Sequence, residues 1–159
     1  MSDSHLTNNL IALAIHALIA IIISCILIFV AEPGNSNFQP ASVLPRIIAI
    51  TCFLSYVICG FFFLKPVEKL SFLSVVSVAI ILILVFIFFA ITASGRSEAY
   101  AFSIYYINPI MPVSSWLFPS VLNGVSSVVA GILFFLSPLL PSLLLYLGMI
   151  LRKLFKDTL

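Results

Sequence analysis

Long apolar runs separated by short clusters of charge make up the chain. No charged residue lies between Asp3 and Glu32, and further charge-free windows cover Ile47–Leu64, Leu70–Gly95 and Ala99–Leu151. A helix needs about 20 apolar residues to cross roughly 30 Å of hydrocarbon. Each of the first three windows holds one such helix, predicted at Asn9–Ala31, Ile47–Leu64 and Ser71–Ser94. The second is short, so it should stand nearly upright or pinch the bilayer. Strands of a membrane barrel would alternate apolar and polar residues, and Ile80–Ile91 (IILILVFIFFAI) does not. Buried core helices of a soluble protein would need polar elements around them, and the chain supplies none.

The fourth window is longer than one span. Its first part, Ala99–Trp116, contains Asn108, Pro109, Pro112, Ser114 and Ser115. A stretch broken twice by proline leaves backbone groups that lipid cannot satisfy. It reads as an interfacial or re-entrant loop. Beyond it, Leu117–Leu151 is continuously apolar but carries Pro138 and Pro141. One straight helix over that length would measure about 50 Å. Either one kinked span covers residues 119–151, or the chain reverses at Ser137–Pro141 and makes two spans.

Basic residues choose between these. Lys65 and Lys69 lie after the second span, and Arg152, Lys153 and Lys156 lie at the C-terminus. An even number of spans between the clusters puts both on one side, as the positive-inside rule favours. The expected fold is therefore an all-α integral membrane protein. It is one transmembrane domain over residues 1–159, a four-helix bundle with both termini cytoplasmic. An aromatic and Pro-rich outer loop over residues 95–118 joins spans three and four. Five spans remain the alternative.

Composition removes other classes. Apolar residues make up 63% of the 159 positions and charged residues 8%, whereas a soluble domain carries about a quarter charged residues. Seven Lys/Arg and five Asp/Glu cannot coat a water-soluble surface. This excludes a soluble enzyme, a nucleic-acid-binding module and a disordered linker. Ile22-Ile23-Ser24-Cys25 loosely fits a lipoprotein cleavage box, but the residues that follow (ILIFVAEP) stay apolar. An uncleaved first span is the expectation.

Candidate chemistry is sparse. Cys25, Cys52 and Cys59 all fall within predicted spans, without a CxxC. Cys25 and Cys52 sit at similar depth and could meet across a hairpin, but inert packing thiols are the expected reading. His16 is the one ionisable side chain of interest inside a span, where polar groups usually face the bundle interior. A proton relay would need a carboxylate beside it, and the spans contain none. A neutral His16 bonded to a neighbouring helix is expected instead, with Tyr56 and Cys59 at suitable depth. A zinc site needs three or four ligands and fails on number.

Small and weakly polar residues recur every four positions. Ala12, His16, Ala20 and Ser24 line the first span, Cys52, Tyr56 and Gly60 the second, and Asn123, Ser127 and Gly131 the fourth. Such stripes let helices approach closely in lipid. They can equally form a seam between copies. The third span carries Ser71, Ser74 and Ser77 at its start and is apolar on every side thereafter, so it should be the most lipid-exposed. In the outer loop, Tyr100, Tyr105, Tyr106 and Trp116 suit the headgroup level. If the loop contacts a ligand or partner, Tyr105, Tyr106, Asn108 and Trp116 are the candidates. His16, Tyr56 and Asn123 are those within the spans.

The spans offer no paired carboxylates, no nucleophile with a base, no metal set and no phosphate-gripping charge. No enzyme activity and no cofactor are expected. The leading functional expectation is an accessory subunit or assembly factor, held by the lipid bilayer and by partner helices or copies of itself. The alternative is a small homo-oligomeric carrier, flippase or pore for an apolar or amphipathic substrate.

Overall fold

A computed structural model describes residues 3–30, 43–67, 72–92, 108–109 and 136–158. Among these residues the structure is helical and contains no strand. Helix α1 spans Asp3–Val30 and α2 spans Val43–Phe63. A 3-10 turn at Phe72–Ser74 leads into α3, Val76–Thr92. A second 3-10 turn at Ser137–Leu139 leads into α4, Leu140–Thr158. Three stretches, Ser4–Ile26, Val43–Phe63 and Ser137–Lys156, are long and apolar enough to cross a membrane, and Val76–Phe88 is a shorter apolar helix.

Helix boundaries depart from the sequence expectation at proline and amide positions. Helix α1 starts at Asp3 rather than Asn9, because polar residues near its start bond neighbouring segments and carry the helix beyond the apolar window. Helix α2 opens at Val43, with Pro45 in its first turn, where a missing N–H leaves no intrahelical bond unmade. It stops at Phe63, just ahead of Lys65-Pro66, since a residue before proline avoids helical geometry. Pro138 and Pro141 lie in the opening turns of the last element, and α4 runs past Leu151 to Thr158. The rest of the expected 119–151 span, residues 119–135, and the loop over 95–118 apart from residues 108–109, lie outside the described residues.

Contacts fix the direction of each helix. Asn8 of α1 bonds Lys65 just beyond the end of α2, and Asn9 bonds Ser77 at the start of α3. Arg152, toward the end of α4, bonds Phe62 and Leu64 at the end of α2. Helices α1 and α3 therefore leave from the end of the bundle at which α2 and α4 arrive. Helix α2 packs mainly along α4; α1 packs against α2 and α3 and touches α4, and α3 packs against α1 and α4.

The core includes the expected stripe on α2, but on α1 only its first half, Ala12 and His16. Ala20 and Ser24 are half-buried, and the inward face continues through Ile19 and Ile23 as the repeat of about 3.6 residues drifts off a four-residue spacing. Ala12, Ile15, His16, Ile19 and Ile23 are buried on α1. Pro45, Ala49, Cys52, Tyr56 and Gly60 are buried on α2 at spacings of three and four. Ser74, Val75, Val78, Ala79 and Leu82 contribute from α3 and its leading turn, and Leu145 and Met149 from α4. The outward faces are apolar too. Leu18 and Ile21 on α1, Leu54 and Ile58 on α2, Leu84 and Phe88 on α3, and Leu143 and Leu147 on α4 are all exposed. Apolar surface on every described helix is compatible with a multi-pass membrane protein.

The α2–α4 contact is the tightest. A Cβ added at Gly60 would strike the Leu145 carbonyl, and one added at Gly148 would strike the Val57 carbonyl. The two glycines thus let the backbones touch from both sides. Gly60→Ala or Gly148→Ala should each destabilise the bundle by about 1–3 kcal/mol through overpacking. Thermal exposure of buried Cys52 to a maleimide dye, in a Cys25→Ser, Cys59→Ser background, measures it. An unchanged midpoint in both variants would show that the helices do not depend on this approach.

Candidate functional site

Polar side chains inside the described bundle gather in three places. The largest group lies at the end where α1 and α3 begin. Consecutive residues on a helix point about 100° apart, so Asn8 and Asn9 reach different neighbours. The Asn8 amide nitrogen donates to the Lys65 carbonyl at 2.8 Å, and its oxygen accepts the Lys65 N–H at 3.0 Å. The same amide donates weakly to the Met149 sulfur at 3.8 Å. Asn8 is fully buried. The Asn9 amide donates to the carbonyls of His5 and Leu73, while its oxygen accepts the Ser77 N–H at 3.0 Å. Ser77 in turn donates its hydroxyl to the Asn9 carbonyl.

These bonds satisfy backbone groups that helices cannot satisfy themselves. Asn9 serves the first turn of α3, and Asn8 serves the residue that leaves α2. Arg152 completes the end of α2 by donating to the carbonyls of Phe62 at 3.0 Å and Leu64 at 2.7 Å. His5 Nδ1 and Ser74 Oγ share a hydrogen bond of 2.6 Å on the same level. Deeper in the bundle, Ser142 of α4 donates to the Val75 carbonyl and accepts the Ala79 N–H. Those two groups stand at the i and i+4 positions that an α-helix joins directly. The hydroxyl thus ties α4 into the ladder of α3.

The second group is the pair expected from the sequence. His16 Nδ1 and Tyr56 Oη share a buried hydrogen bond of 2.8 Å, with donor and acceptor set by the imidazole tautomer. Their rings lie 6.0 Å apart and tilted by 34°. The bond cross-links α1 and α2. The third group joins Asn108, which donates to Ser137 Oγ at 3.2 Å. Both are buried, and the side-chain oxygen of Asn108, Oδ1, has no hydrogen-bond partner among the described residues.

The structure therefore brings His16 and Tyr56 together and sets Asn108 apart from them, against the turn before α4. Tyr105, Tyr106, Trp116 and Asn123 lie outside the described residues. Cys25 is exposed, Cys52 buried and Cys59 half-buried, and all are free thiols. Among the described residues no group of three or more His, Cys, Asp or Glu side chains could hold a metal ion.

Sequence reasoning missed Asn8, Asn9, Ser142, Gly148 and Arg152. A signal existed for Asn8, which stands four residues before Ala12 and continues the Ala12–His16 stripe by one turn. Gly148 had no such stripe around it, and Ser142 is one serine in a polar-poor run. Arg152 was counted as a topogenic charge, while its carbonyl partners follow only from the packing of α2 against α4.

No family model, no curated protein and no solved structure matches the chain. The role of these groups rests on their geometry. Asn8→Ala would leave the Lys65 N–H and carbonyl without their partner and should destabilise the bundle by about 1–3 kcal/mol. Unfolding of the purified protein by added denaturing detergent, followed by circular dichroism, measures it. A wild-type midpoint would remove the clamp from the argument. For His16 and Tyr56, a double-mutant cycle with His16→Ala and Tyr56→Phe should give a coupling of about 0.6–1.7 kcal/mol. Zero coupling would mean that the two side chains contribute independently.

Proposed function

We infer that this chain is a non-enzymatic polytopic membrane protein that serves as a small subunit or assembly factor of a larger membrane complex. The observation that carries the reading is a division of labour. All four described helices turn large apolar side chains outward. Most of the polar side chains inside the described bundle bond one another or the helix ends. A catalyst or a carrier keeps polar groups for its substrate. Here the interior polarity is committed to holding helices together, and the surface on offer is apolar.

The bilayer reading draws support from the three helices that are long and apolar enough to span. In it, the chain crosses four times. Lys65 and Arg152 lie at the same end as Asn8 of α1, which favours cytoplasmic placement of both termini by the positive-inside rule. Outward faces such as that of Ile80, Leu84, Ile87 and Phe88 on α3 are then available to partner helices as well as to lipid.

Native mass spectrometry of the protein released gently from its own membrane, at native expression level, tests this. A mass that includes a different protein is expected, together with reduced abundance of that protein when this chain is deleted. A homo-oligomer carrying only lipid, together with transport by the purified reconstituted protein that His16→Ala or Asn123→Ala abolishes, would overturn the reading in favour of a carrier or pore.

A further inference from the structure

The ends of α2 and α4 that meet at Arg152 enclose an open groove of about 290 Å³, lined by Phe61, Phe62, Arg152, Phe155 and Lys156. Phe61 packs edge-on against Phe155 at 5.9 Å and against Phe62 at 5.1 Å. The aromatic wall is therefore shaped by its own contacts, yet Phe62 and Phe155 remain 64% and 60% exposed. Above Phe62, at four-residue spacing, Ile58 and Leu54 continue an exposed apolar track along α2.

Two cations sit in this apolar frame. Arg152 is held in place because one of its terminal nitrogens donates to both the Phe62 and Leu64 carbonyls. Those carbonyls are neutral, so the guanidinium charge is positioned but not neutralised. Lys156 stands one helical turn further along the same face, and no described carboxylate bonds either cation. Among the described residues near this end, Lys65, Arg152, Lys153 and Lys156 stand against Asp3 and Asp157. A cationic mouth over an apolar track matches an amphiphile with a negative head and hydrocarbon tails.

We propose that this groove binds an anionic glycerophospholipid of the leaflet in which α2 and α4 end. The phosphate lies between Arg152 and Lys156, and an acyl chain follows Phe62, Ile58 and Leu54. Two cations favour a head with net negative charge over a zwitterionic one. The proposal rests on the bilayer reading given above, and its test separates the two.

The full-length protein is first reconstituted into vesicles of phosphatidylcholine and phosphatidylglycerol and floated after carbonate washing. Failure to insert overturns the bilayer reading and this proposal together. The delipidated protein is then titrated with each lipid and analysed by native mass spectrometry. The expected result is a preference for phosphatidylglycerol that Lys156→Gln lowers about fivefold, the effect of removing one surface cation. Arg152→Gln should lower it at least as much, though it also frees the end of α2. Lys156→Gln carries the decision because Lys156 caps no helix. Lys153→Gln removes the same charge from outside the groove and should change the preference far less. Insertion with equal retention of both lipids overturns the site alone. Equal losses for Lys153→Gln and Lys156→Gln would replace the site by diffuse attraction. A lipid-free dimer that Lys156→Gln or Phe155→Ala dissociates would assign the groove to a second copy of the chain.

Discussion

Backbone groups at a helix end must find partners, and in an apolar chain few side chains can supply them. The bundle meets this constraint at one level with three residues. Asn8 takes both backbone groups of Lys65, Asn9 takes the Ser77 N–H, and Arg152 takes the carbonyls of Phe62 and Leu64. Each bond joins two different elements. The same interactions that satisfy the backbone therefore also set the directions and relative heights of all four helices. Apolar packing alone could not do this, because one leucine face slides over another with little preference.

From that level, the helices approach as closely as their side chains allow. Helices α2 and α4 run parallel from Gly60 and Gly148 toward the Arg152 contact, with glycine opposite backbone on both sides. Helices α1 and α2 run antiparallel and are cross-linked by His16 and Tyr56. Helices α3 and α4 are tied by Ser142. Several interhelix contacts in the described bundle thus hold one polar cross-link, a distribution that fixes register at modest energy, since each such bond contributes around 1 kcal/mol. The arrangement leaves the outer faces free of polar demands. It also leaves Arg152 with its charge intact at the mouth of an aromatic groove, which is how a structural cap becomes a candidate lipid contact.

The sequence by itself determined much of this. Charge-free windows marked where three of the helices lie, because long uninterrupted apolar runs favour helices that satisfy their own backbone groups. The recurrence of Cys52, Tyr56 and Gly60 named the inward face of α2, because helical periodicity is local; the stripe of Ala12, His16, Ala20 and Ser24 named that of α1 only over its first two members. Depth matching offered Tyr56 and Cys59 alike as neighbours of His16, and the packed bundle bonds Tyr56. Tertiary structure alone decided the rest. Whether Asn8 is a polar flank or the buried partner of Lys65 depends on where α2 ends in space, 57 residues further along the chain. Whether Gly148 is a gap in a leucine run or a point of backbone contact depends on which helix lies opposite. Arg152 reads as a topogenic charge until the carbonyls of Phe62 and Leu64 are placed beside it. Periodicity reports which face of a helix turns inward, and only the packed bundle reports what that face meets, because hydrogen bonds and steric contacts act over a few ångströms between residues far apart in sequence.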